Sequence, residues 1–130
     1  MSALLLAGLL PGGAAQAQDC YAALTQQAIA ECAGGDYQKL DAELNKAYRS
    51  VGARLAGNDK KKQLLTSAQR AWIEFRDNEC RFAASGVEGG SVYSTAVASC
   101  AANLTAARIA ALRAYLNCPE GDVACPVPAN

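Results

Sequence analysis

The side chains best suited to chemistry in this 130-residue sequence are six cysteines: Cys20, Cys32, Cys80, Cys100, Cys118 and Cys125. Thiols can cross-link a chain, bind a metal or carry out redox exchange. Metal and redox chemistry are poorly served here, because there is no histidine and no C-x-x-C spacing. The missing histidine also removes Ser-His-Asp and Cys-His catalysis. Glu74, Asp77 and Glu79 are the acidic cluster worth considering for acid–base work. On a helix their spacing points them in different directions, and Asp77 adjoins Arg76. Without a converging acid–base pair the chain reads as a non-enzyme, with no catalytic residue, metal site or cofactor expected. Disulfides are the chemistry left, and they require an oxidising compartment.

Residues 1–17 bear on that compartment. Ala3 to Leu10 form a short apolar run, Pro11-Gly12-Gly13 break it, and Ala15-Gln16-Ala17 is an A-x-A cleavage signature. The pattern reads as a secretory signal peptide, too short for a membrane span. No Lys or Arg precedes the run, so either translation starts further upstream or the signal is atypical. Cleavage near Ala17 predicts a bacterial protein that is periplasmic or secreted. Asp19 before Cys20 argues against a lipid-anchored cysteine. No later apolar run approaches spanning length on this reading, so no membrane span is expected. Twelve basic and twelve acidic residues cancel, which removes the electrostatic footprint of a nucleic-acid binder.

The elements that must position these residues are helical. Tyr37, Leu40, Leu44, Ala47, Val51 and Leu55 recur at steps of three and four and predict a helix over 37–56. Gly57-Asn58-Asp59 stops it and caps the next, over 60–84, with Leu65, Ala68, Trp72, Phe75 and Phe82 as its apolar set. Ser91 can cap a third helix burying Tyr93, Val97, Cys100, Leu104, Ala107, Ala111 and Tyr115. A shorter helix over about 25–33 precedes these and ends at Gly34-Gly35. Alternating strand patterns are absent. The expected fold is all-α: a small disulfide-stapled bundle of three long helices plus a short N-terminal helix. The divisions are 1–17 signal peptide, 18–116 helical domain and 117–130 an irregular disulfide-bonded tail. Abundant alanine makes the core thin in buried area, a weakness covalent staples would offset.

The helix reading selects among cysteine pairings. Cys80 and Cys100 flank the Gly-rich turn near Glu88 and sit opposite each other in an antiparallel hairpin. Cys118 and Cys125 bracket a Pro/Gly loop. A continuous helix would hold Cys20 and Cys32 about 18 Å apart. Their pairing therefore requires the chain to fold back onto a helix beginning near Thr25.

Polar residues at helical spacing form further rows: Asp41, Asn45 and Tyr48; then Gln69, Trp72, Arg76 and Cys80 with Asp77 beside them; and Thr105 with Arg108. Charges beside an apolar stripe need partners. Asp41, Asn45, Gln69, Arg76, Asp77 and Arg108 thus read as an interhelical network that sets register. The same residues carry a likeness. Cys20 through Cys32, Leu40-Asp41-Ala42-Glu43-Leu44-Asn45-Lys46-Ala47-Tyr48, and Gln69-Arg70-Ala71-Trp72-Ile73-Glu74-Phe75-Arg76-Asp77-Asn78-Glu79-Cys80 form its main blocks. Gly89-Gly90-Ser91, Cys100, Arg108 and Leu112 follow in order. Together, over about 19–116, they resemble the lysozyme inhibitor LprI-like N-terminal domain family, and the tail looks like that of its small periplasmic members. The resemblance implies a small helical disulfide-bonded domain and a lysozyme as partner. It carries no inhibitory residue across, and it lacks the namesake's lipid-attachment cysteine.

Blocking a muramidase cleft, which holds two carboxylates and an extended sugar chain, calls for a rigid protruding loop. Ser85 to Ser91 is the candidate, with Glu88, Ser91 and Tyr93 as contacts and Cys80–Cys100 stiffening its base. The same glycines also suit a plain helix connection with Ser91 as N-cap. Lys60-Lys61-Lys62 opposes the helix dipole at its N-terminus and reads as a solvated face. Two functions remain open: an exported non-catalytic lysozyme inhibitor, or a small structural or interaction module of the bacterial periplasm without lysozyme binding. Nothing in the sequence specifies an oligomeric state.

Overall fold

The computed structural model describes residues 20–22 and 25–129, so the signal-peptide reading of residues 1–17 lies outside the described residues. Three long helices carry the fold: α1 (Gln26–Arg54), α2 (Asp59–Ala83) and α3 (Tyr93–Leu116). Among the described residues there is no strand. They run up, down and up, so α1 and α3 are parallel, and α3 packs more extensively on α1 than on α2.

The expected short N-terminal helix ending at Gly34-Gly35 is not formed. α1 is one helix of 29 residues that passes through both glycines. Glycine in a helix interior costs about 1 kcal/mol relative to alanine, which weakens a helix without ending it, and no proline is present to block the ladder. Thr25 supplies the N-cap, its side chain accepting from the Ala28 N–H at 3.1 Å. A single 3-10 turn, Cys20–Ala22, precedes it and brings Cys20 back to Cys32. At the other end Gly57 adopts φ +83, a left-handed position suited to glycine, and Asn58 caps α2 by accepting from the Lys61 N–H.

The core lies where α1 and α3 end. Leu44, Ala47, Val51 and Leu55 of α1 meet Ile109 and Leu112 of α3, and Val127 of the tail joins them. The tail is tied down by two cations. Arg54 donates to the carbonyls of Leu116 and Pro128, and Lys61 donates to that of Pro126.

Two of the expected apolar faces hold only in part: Leu65 and Trp72 of α2 and Tyr115 of α3 pack against the core, but other members do not. On α2 the buried residues are Gln69, Arg76 and Cys80, whereas Phe75 and Phe82 are 53% and 75% exposed. The disulfide through Cys80 and the contacts of Gln69 and Arg76 orient the helix, and Phe75 stands one residue, about 100°, from Arg76. On α3 the buried residues are Thr95, Ala101, Thr105, Ile109 and Leu112, while Ala107 and Ala111 are exposed. α3 is apolar nearly all round, so its pattern does not mark an inner face. By length and composition this helix could cross a membrane, contrary to the expectation that no later run approached that size. Its alanines raise hydropathy without bulk, and here the helix lies against α1 and α2. Ser91 does not cap it either: α3 starts after Val92 with no side-chain cap, and the Tyr93 N–H bonds instead to the Gly90 carbonyl.

Candidate functional site

Arg76 is the centre of the polar cluster. Its side chain, on a residue only 5% exposed, lies between the rings of Tyr37 and Trp72, 5.3 and 5.2 Å from their centroids. Nε donates to Asp77 Oδ1 at 2.9 Å, and Nη1 is 3.5 Å from Asp41 Oδ1. The Asp41 contact is an ion pair without hydrogen-bond alignment, so Nη1 is buried with no hydrogen-bond partner among the described residues. From α3, Arg108 Nε donates to Gln69 Oε1 at 3.0 Å, and its guanidinium lies 6.0 Å from the Trp72 centroid. Trp72 is therefore approached by two cations, an attraction of about 0.5–2 kcal/mol each.

The structure thus joins Arg76 to Asp41 and Asp77, and Arg108 to Gln69, with the Trp72 ring near both guanidiniums, but it does not bring in Asn45. Asn45 is exposed, and among the described residues no hydrogen bond joins it to the cluster. It falls four residues after Asp41, but the helix turns its side chain to solvent. Tyr37 is the member the sequence reading placed only in the apolar stripe. Its position four residues before Asp41 puts both on one helix face, which was the available signal. Burial pushes the Tyr37 phenol above its ordinary value of 10.0, with Arg76 pulling the other way and Asp41 and Asp77 adding to the rise. Tyr48 reaches across to α2, its hydroxyl 3.0 Å from Thr66 Oγ1.

The loop between α2 and α3 begins with a 3-10 turn, Ser85–Val87. Glu88 and Ser91 are exposed and Tyr93 is half-buried. Gly89 takes φ +79. A side chain at Gly90 would crowd the Val87 carbonyl, with Cβ only 3.1 Å from its oxygen. Cys80 and Cys100 are bonded at the base of the loop, with a Cα–Cα separation of 5.5 Å. The other bonded pairs are Cys20–Cys32 and Cys118–Cys125. Asp36 Oδ2 lies 3.4 Å from Cys20 Sγ. With both thiols of that cluster consumed by the disulfide, it offers a metal no thiolate.

An apolar cleft of about 210 Å³ opens beside the core, between Leu55, Leu64, Leu65, Tyr115 and Val127, with Lys61 and Arg108 at its edge. Its lining holds no carboxylate, so it has no acid–base pair for hydrolysis. Of the acids considered earlier, Glu74 is exposed, Glu79 is half-buried, and Asp77 is engaged by Arg76.

Residues 17–112 match the family described as Lysozyme inhibitor LprI. An uncharacterized protein of Rhizobium meliloti (strain 1021) is 38% identical over 129 residues, covering 90% of this chain and 93% of that relative. No solved structure matches the chain.

Proposed function

Because the chain belongs to the LprI lysozyme inhibitor family, we propose that it binds a lysozyme and blocks its cleft without itself catalysing a reaction. The family match over 17–112 is the observation that carries this reading. The disulfides agree with an extracytoplasmic location. On the same reading residues 1–17 are a signal peptide removed near Ala17, and the product acts in the periplasm or outside the cell.

The contact surface we assign is the 85–91 loop. It is exposed, preorganised by glycines and anchored by a disulfide, so little conformational freedom is lost when it docks. Glu88 and Ser91 offer an acceptor and a hydroxyl, and Tyr93 stands behind them. The Arg76 cluster serves the helices, holding α1, α2 and α3 in register, and does not face a partner.

Turbidity clearing of cell-wall suspensions by lysozymes of several classes tests the proposal. Micromolar protein is expected to slow clearing by at least one class, and Glu88→Ala with Ser91→Ala to weaken that effect about tenfold or more. No protection by the unmodified protein at micromolar excess sinks the inhibitor reading. Full protection by the double variant moves the contact surface off the loop.

A further inference from the structure

Away from the core α2 carries an apolar seam that the described residues leave exposed, its first turn, at Leu64 and Ala68, also lining the cleft beside the core. Leu64, Phe75 and Phe82 are 61%, 53% and 75% exposed. The last two are the only phenylalanines in the sequence. With Ala68, Ala71 and Asn78, also exposed, they recur at alternating steps of four and three. That is the period of a coiled-coil seam, and from Leu64 to Phe82 it extends about 27 Å. A contiguous exposed stripe of this kind marks an interaction surface.

We propose that this seam pairs with the same seam of a second copy of the chain, antiparallel about a two-fold axis near Ile73. Side-chain sizes are self-complementary in that register. Phe75 falls opposite Ala71 of the other copy and Asn78 opposite Ala68, larger against smaller, while Phe82 meets Leu64, two apolar side chains at each end of the seam. Charge agrees. Arg70 and Glu74 stand exposed on one edge of the seam, and among the described residues neither makes an ion pair. The antiparallel arrangement brings Arg70 of each copy near Glu74 of the other on one side of the axis, whereas a parallel two-fold puts the two edges on opposite sides, where they do not meet. It also gives Lys60-Lys61-Lys62 a role. Cations at a helix N-terminus oppose its own dipole, but here they come beside the C-terminal, negative end of the other α2. Lys61 is shared with the Pro126 carbonyl, while Lys60 and Lys62 are exposed. The pairing leaves the 85–91 loops at opposite ends of the dimer and does not depend on lysozyme binding.

Sedimentation velocity and light scattering of the oxidised chain, from about 1 to 500 µM, test this. The expected result is a concentration-dependent rise to twice the chain mass. Phe75→Asp with Phe82→Asp should hold the protein monomeric, with helical circular dichroism retained and no free thiol. Arg70→Glu or Glu74→Arg alone should raise the dissociation constant about tenfold, and the two together should restore it to within about threefold. The charge variants sit on the solvent side, so they decide the matter even if the double aspartate variant fails to fold. A monomer throughout the range overturns the proposal, as does a dimer whose double charge reversal stays as weak as the single ones. If the chain is monomeric and Phe75→Asp abolishes lysozyme binding instead, the seam belongs to the lysozyme and not to a second copy.

Discussion

Where α1 and α3 end, the interior is built of Leu44, Val51, Leu55, Ile109 and Leu112, with Val127 closing it from the tail. At the opposite end, around the start of α1 and α3, the buried residues are Ala33, Ala84, Thr95 and Ala101, and the disulfides Cys20–Cys32 and Cys80–Cys100 join the chain there. Each fully buried leucine or valine contributes about 1.5–3 kcal/mol, whereas an alanine contributes much less. One end is therefore held by removal of apolar surface from water. The other relies on covalent links that limit the unfolded chain, each stabilising by about 2–4 kcal/mol. Between them lies Arg76, a buried cation kept in place by two rings and two half-exposed carboxylates. The loop assigned to partner binding sits at the cross-linked end. A stiff base there follows from bonds and not from packing, so it persists although the side chains are small.

Four measurements break or sharpen this contrast. Leu112 is fully buried, and Leu112→Ala should lower stability by about 2–5 kcal/mol in urea unfolding. A loss under about 1 kcal/mol would mean the apolar end is not the main support. Replacing Cys80 and Cys100 together by alanine should cost about 2–4 kcal/mol, and should weaken lysozyme inhibition more than Leu112→Ala does at equal folded fraction. Equal effects on inhibition would deny the disulfide any role in shaping the loop. Gly34→Ala and Gly35→Ala should each stabilise by about 0.5–1 kcal/mol, since both glycines are helical and, beyond the chain neighbours and the helix's own backbone, no atom of the described residues lies within 4 Å of either new Cβ. A fall in melting temperature would show that the helix needs its glycines. The smallest effect concerns Tyr37. Its folded-state pKa is raised, so its contribution is fully present below its ordinary value of 10.0 and is lost as pH rises through the raised value. Tyr37→Phe should remove that alkaline loss, and an unchanged alkaline limb of the stability profile would contradict the assignment.

Much of this was readable from residue order because it depends on neighbours a few positions apart. The stop at Gly57, the cap at Asn58 and the α1 stripe through Leu44, Ala47, Val51 and Leu55 follow from φ preference, capping and the 3.6-residue period. The pairing of Cys80 with Cys100 follows from two helices of similar length around one turn. Of the residues expected in the polar network, Arg76 meets Asp41 across to α1 and its neighbour Asp77, and Arg108 meets Gln69 across to α2, since a charge beside an apolar stripe needs a partner.

Other features depend on what lies across the fold. The rotation of α2 is set by Cys100, Arg108 and Asp41 acting together, and that is why both phenylalanines face outward despite their hydrophobicity. The inner face of α3 is unmarked in an alanine-rich helix until α1 and α2 choose it. Val127 looked like part of an irregular tail, yet Arg54 and Lys61 hold the tail's carbonyls and place it in the core. The sequence by itself determined the helices, their limits to within a few residues outside the glycine pair, and the cross-links, since local torsion preferences and periodicity suffice for these. Only the tertiary structure decided which side of α2 and of α3 is inside, because burial is a property of two surfaces meeting and neither of these helices carries that information alone.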